Sequence, residues 1–160
     1  MPSALVVLTV AAALGAGLVA GFFFAFSTTV MPALGRVPAP QGVVAMQEIN
    51  VVVLNPLVMT ALFGTAMLCL ASIIAALVAW DGAHGAYVVA GSAVYLIGTI
   101  GVTMAANVPR NDALAALDAD GADAAGHWAR YLSEWTTFNH VRTVAALIAS
   151  GLFVGALCAA

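Results

Sequence analysis

Four long stretches without a single Asp, Glu, Lys or Arg constrain this chain more than anything else in it. They run up to residue 35, then over residues 49–80, 82–109 and 143–160. At 1.5 Å per residue a helix needs about 20 residues to cross some 30 Å of hydrocarbon, so each stretch predicts a membrane-spanning helix. The first is longer than the apolar core of a cleavable signal and no basic segment precedes it, so it is read as a span rather than a leader. The expected architecture is all-α: one membrane domain over residues 1–160, an antiparallel four-helix bundle. Its spans lie near residues 4–31, 50–79, 86–107 and 139–159, with a partly helical polar connection over about 110–134.

Composition agrees. Hydrophobic residues make up 64% of the chain and charged ones 7%, against about 25% charged residues in soluble domains. There are four arginines and no lysine, with a net charge of −3. No basic tract exists to cover a phosphate backbone, which excludes nucleic acid as a main partner. Cys69 and Cys158 sit inside apolar runs, outside any CxxC or Cys/His spacing. They read as small hydrophobes, not as disulfide partners or zinc ligands.

Helices in lipid approach closely through small residues. Ala13, Gly17, Gly21 and Ala25 form such a stripe on the first span, and Gly151, Gly155 and Ala159 on the fourth. The halves share no repeat, so the inverted-repeat signature of many transporters is missing. In the connection, Asn111 is expected to cap a short helix with Leu114 and Leu117 toward the membrane, and Gly121 to end it. Trp128, Tyr131, Trp135, Phe138 and Arg142 follow at spacings of three and four, one helical stripe, so the fourth helix starts well before the bilayer. Such a stripe is either an interfacial aromatic belt or a substrate platform.

Polar residues are one-sided. Ser27 and Thr28, then Gln47, Glu48, Asn50 and Asn55, then Asn107, Arg110 and Asn111, and finally Glu134, Asn139, His140 and Arg142 all fall at one end of the bundle. The other end holds only Asp81 and His84. All four arginines lie on the rich side, which the positive-inside rule makes cytoplasmic. Asn55 is expected two turns from Glu48 on one face of the second helix, with Met59 beyond and Pro56 kinking the helix into a polar-lined entrance. Arg142 could clamp a carboxylate or phenolate, or else pair with Glu48 or Glu134 as a structural ion pair. His140 is the candidate proton acceptor, with Glu48, Glu134 or Asn139 fixing its tautomer. The alternative is an interfacial histidine without chemistry. No cofactor motif is present: there is no GxGxxG, no phosphate loop, no GxSxG elbow and no bis-histidine haem arrangement. A metal ion would have to be held by His140, Glu48 and Glu134, which no local spacing brings together.

GFFFAFSTTVMPAL at residues 21–34, MQEIN at 46–50, Asn55-Pro56, NVPRNDAL at 107–114 and the segment from Trp128 through WTTFNHVRT to Thr143 together resemble the anthrone oxygenase-like family of small four-helix membrane proteins. The resemblance covers most of the chain. It implies an integral membrane protein whose fungal relatives oxidise polyketide anthrones to anthraquinones with molecular oxygen, without a conventional flavin or haem. Many bacterial relatives have no assigned activity, and a bacterial cytoplasmic membrane is the expected location. The function so implied is an oxygenase-like oxidoreductase acting on a hydrophobic aromatic. An anthrone gives up a proton to form an electron-rich enolate, which requires a base, an oxyanion partner and a dry pocket. His140 is then the base, and Arg142 with Asn107 and Asn139 hold the oxyanion. Glu48 orients His140 or Arg142, Asn55 contributes to substrate binding, and Trp135, Phe24, Phe26 and Met59 form the pocket wall. The competing class is non-enzymatic: a membrane lipid- or quinone-binding module, or a small exporter acting as a homo-oligomer. Proton-coupled export relies on a carboxylate within a span, and here every acidic residue lies at an end or in a loop.

Overall fold

Long uninterrupted apolar sequence becomes long helix. The computed structural model describes residues 3–80 and 82–159 and contains no strand among them. Four helices are long and apolar enough to cross a membrane: α1 (Ser3–Leu34), α3 (Pro56–Val78), α4 (Gly82–Ala115) and α5 (Ala124–Cys158). A fifth, α2 (Ala39–Val52), precedes α3. The chain is an all-α integral membrane bundle. α1 packs along α5, α5 along α4, α4 on α3, and α3 back on α1, closing a ring of four.

Helix length explains the shape. α1, α4 and α5 hold 32, 34 and 35 residues and so run about 50 Å, well beyond the hydrocarbon. α3, at 23 residues, is only about 35 Å long. α2 makes up the difference, packing outside the membrane against the projecting ends of α1, α4 and α5. That outer layer is cemented by Met31, Val43, Met46, Leu114, Trp128, Tyr131 and Trp135. Below it a middle cluster holds Ala12, Ala16, Ala20, Tyr95, Ala149 and Phe153. Leu5, Ala76, Val88 and Ala156 close the far end.

Several expectations change. The second span begins at Pro56 rather than near residue 50. Asn55 is its N-cap, accepting from the Leu57 and Val58 amides at 3.0 and 3.1 Å and donating to the Val52 carbonyl. Proline suits the first turn of a helix because no donor is lost there, so Pro56 starts α3 instead of kinking a longer helix. Pro109 does not end the third span either. A π-helical stretch, Thr103–Asn107, leads into it, and α4 continues to Ala115 with Asn111 inside the helix. Leu114 and Leu117 turn toward α2 and α5 rather than lipid. Gln47 caps this helix end from α2 by donating to the Leu114 and Leu117 carbonyls at 2.9 and 3.0 Å.

The small-residue stripes also shift. Gly21, Ala25, Gly151 and Ala159 are exposed or have nothing packed on them. Ala13, Gly17 and Gly155 do pack against a neighbouring helix, and the other contacts run through Ala12, Ala16 and Ala20 on α1 and Ala146, Ala149 and Ala156 on α5. Close approach does require a glycine at Gly98, where a Cβ would come within 2.5 Å of the Ala145 methyl. At the far end His84 is buried, its Nδ1 2.8 Å from the Ala156 carbonyl. Asp81 lies outside the described residues.

Candidate active site: a buried arginine facing an apolar cavity

Where the short α3 ends and α2 takes over, the bundle encloses a cavity of about 320 Å³. All five helices line it. Its apolar walls are Phe22, Phe23 and Phe26 of α1, Met46 and Ile49 of α2, Met59 and Leu62 of α3, and Met104 and Val108 of α4. Among the described lining residues only Asn50, Thr103, Asn111, Trp135 and Arg142 carry nitrogen or oxygen in their side chains. No Asp, Glu, His or Cys is among the lining residues.

The walls are built from irregular helix. Phe26–Val30, Thr60–Gly64 and Thr103–Asn107 are π-helical, and each lies at the level of the cavity. A π turn widens the helix and disturbs its carbonyl pairing, which is why such turns cluster at functional sites. Side chains take up carbonyls in and beside these turns. Asn139 Nδ2 donates to the Phe23 carbonyl at 2.7 Å, Tyr95 Oη to that of Leu62 at 3.0 Å, and Arg110 Nη1 to that of Ala106 at 2.9 Å.

Arg142 is the centre of the arrangement. It is 4% exposed, although its helix is one of the spans. Nη2 donates to Asn139 Oδ1 at 2.7 Å and Nη1 to Thr103 Oγ1 at 3.3 Å, while Nε is buried with no partner. Asn139 is itself fixed by donating to Ser27 Oγ at 2.6 Å as well as to Phe23. The guanidinium lies 4.1 Å from the Phe23 ring centroid and 5.1 Å from that of Trp135, so its faces are covered by aromatic carbon. Glu134 pairs with Arg110 at 2.9 Å, and Glu48 is exposed. Among the described residues, no carboxylate pairs with Arg142, and the ion-pair alternative falls away.

The aromatic stripe is interior, not an interfacial belt. Trp128, Tyr131 and Trp135 stack in sequence at 5.7 and 6.3 Å, and Phe138 supports Arg110 at 4.5 Å. Tyr131 Oη and Trp135 Nε1 both donate to Asn111 Oδ1, at 2.9 and 2.8 Å, which pins Asn111 in the cavity wall. Asn50 faces it from α2 with its Nδ2 buried and unpartnered.

Of the residues singled out in the sequence, Arg142, Trp135, Phe26 and Met59 line the cavity. Asn139 and Asn107 stand behind it, Asn107 donating to the Trp135 carbonyl at 3.2 Å. His140, Glu48 and Phe24 are exposed and do not line it; Asn55 is engaged as a cap. His140 follows Asn139 by one residue on a helix, about 100° around, and Asn139 has the inward position. His140, Glu48 and Glu134 do not converge on a metal site, and among the described residues no three His, Cys, Asp or Glu side chains do. Asn50, Thr103, Asn111, Phe22 and Phe23 are among the lining residues that sequence reasoning missed. Asn111 carries a usable signal, an Asn four residues past the expected end of a span, although its position there also fits the cap expected of it.

The family model for anthrone oxygenase matches residues 56–152. The chain belongs to the anthrone oxygenase family. No curated protein and no solved structure matches it. The segment matched to the anthrone oxygenase family starts at Pro56, the first residue of α3, and includes Thr103, Asn111, Trp135, Asn139 and Arg142. The α1 aromatics and Asn50 of α2 lie outside it.

Proposed function

We propose that this protein oxidises a hydrophobic, anthrone-like aromatic with molecular oxygen, and that Arg142 stabilises the substrate's oxyanion. The observation that carries the reading is Arg142 itself. A cation buried in a membrane span without a carboxylate partner is expensive to keep and marks a functional site. Its Nε is unpartnered, its orientation is set by Asn139 and Thr103, and it faces a cavity otherwise lined almost wholly by hydrocarbon. An apolar pocket with a few convergent donors suits a planar aromatic carrying a single negative oxygen.

The chemistry follows from that placement. Loss of a proton from the activated methylene gives an enolate, whose negative oxygen rests against Arg142, with Asn50 in the wall of the same pocket. The enolate is the reductant and dioxygen the oxidant. A carbon–oxygen bond forms to give a hydroperoxide, which loses water to leave the new carbonyl. One oxygen atom ends in the quinone and the other in water, with both methylene hydrogens. Preorganised donors in an apolar pocket lower the energy of the anion far more than bulk water does. Among the described residues no carboxylate or imidazole lines the cavity, so the chain's contribution is anion stabilisation, and the proton passes to a water molecule that reaches the pocket rather than to His140.

The test is oxygen consumption and quinone formation from an anthrone by protein in nanodiscs. Arg142→Gln should lower kcat/KM by about 10²–10³, the usual effect of losing one oxyanion donor. His140→Ala should leave it within a factor of about two, as expected for an exposed residue outside the site. Full turnover in Arg142→Gln would overturn the assignment. Saturable binding of an anthraquinone without any turnover would make the protein a binding module.

A further inference from the structure

The cavity has a mouth, and its position in the membrane is legible. Leu18 of α1, Leu57 and Phe63 of α3 and Met104 of α4 line the cavity and are at the same time strongly exposed, Leu57 at 84%. Leu54, just before α3, completes this rim at 68% exposure. Counted along the helices from their far ends, Phe63 and Leu18 lie about 22 Å up and Leu57 and Met104 about 32 Å up. Some 30 Å of hydrocarbon places this opening in the leaflet on the α2 side, from its acyl chains to the headgroup boundary.

The opening has a structural cause. α3 meets α4 along Thr65–Val78, whereas its first turns, Pro56–Gly64, stand away and are tied to α4 through the Tyr95 hydroxyl on the Leu62 carbonyl. Above, the outer cluster of α2 with the ends of α4 and α5 roofs the cavity with Met46, Trp135 and Asn111. No charged residue belongs to the rim. Arg142, the one charge in the lining among the described residues, is 4% exposed.

We propose that the pocket is loaded sideways from the bilayer through this apolar portal beside the first turns of α3. It therefore selects substrates that are neutral and lipid-soluble when they enter and become anionic only against Arg142. This rests on the reading of the pocket as the substrate site. It narrows the substrate class to unconjugated aromatic ketones or phenols, and excludes sulfonated, glycosylated or otherwise permanently charged ones.

The test uses protein in nanodiscs and 1-hydroxyanthraquinone, followed by quenching of tryptophan fluorescence, so that it does not depend on turnover. Saturable binding lost in Arg142→Gln supports the pocket; absence of saturable binding in the parent protein overturns the pocket and the portal together. Leu57→Asp places a charge on the rim in the first turn of α3, where an acidic residue favours the helix. Met104→Phe narrows the rim without charge. Each should slow both association and dissociation by about fivefold or more, as a constricted route does. Val51→Asp adds the same charge at an exposed position of α2 outside the lining, and should leave both rates near the parent values. Unchanged rates in both rim variants would overturn the portal while leaving the pocket intact. So would binding of anthraquinone-2-sulfonate, which cannot cross hydrocarbon, as fast as that of the neutral probe.

Discussion

An arginine side chain in a membrane span is tolerated only when something answers its charge. Arg142 meets an amide oxygen, a hydroxyl and two aromatic faces. These satisfy much of its hydrogen bonding but bring no opposite formal charge, so an oxyanion gains most where the protein leaves the cation without a counter-ion. This predicts a trade between stability and binding. Thr103→Asp would put a carboxylate where a hydroxyl now lies 3.3 Å from Nη1. The ligand-free variant should melt higher than the parent, because the buried cation gains a partner. Its affinity for 1-hydroxyanthraquinone should fall by about tenfold or more, because that carboxylate competes with the ligand. Thermal melts and titrations in nanodiscs read both. An equal fall in stability and affinity would show that Arg142 is not electrostatically unsatisfied.

At the scale of the element, the decisive device is the division of one long helix into α2 and α3. Asn55 and Pro56 make the division sharp, the first capping and the second starting the new helix. Asn55→Ala should lower stability by about 1 kcal/mol, the usual worth of an N-cap, as measured by denaturant titration in detergent micelles. α2 is seated by a close approach at Gly42, where a Cβ would lie 2.7 Å from the Trp128 ring. Gly42→Val should lift α2 from α5 and loosen the roof of the pocket. The expected result is weaker 1-hydroxyanthraquinone binding with helix content retained in circular dichroism. An unaffected affinity would mean that α2 is not part of the site.

For the molecule as a whole, four alternating spans place both described ends on one face and the α2 layer on the other. Arg36→Cys and His127→Cys should react with a membrane-impermeant thiol reagent from one side of sealed vesicles. Ala83→Cys and the exposed native Cys158 should react from the other. Labelling of Ala83→Cys together with His127→Cys would contradict the antiparallel bundle. Across the membrane the molecule is polarised. A dry core of alanine and aromatic side chains fills the half toward Cys158, and the cavity with its arginine fills the half toward α2.

The number of spans, the one-sided polar end, the early start of α5 and the nomination of Arg142 and Trp135, which both line the cavity, were all legible in the sequence. Each follows from local quantities: runs without charge, helical spacing, and the rarity of a charge next to an apolar span. The exposed placement of His140 and Glu48, away from the cavity, was not. One residue's step around a helix decides between pocket and surface, and the rotation of α5 is set by how Asn139 docks on Phe23 and Ser27, more than 110 residues away in the chain. Asn111 likewise became a pocket residue only because Tyr131 and Trp135 reach it from another helix. Hydrophobicity therefore determined what lies in the membrane, and interhelical hydrogen bonds decided which polar groups face one another inside it. The first is a sum over neighbours in sequence; the second depends on neighbours that only folding brings together.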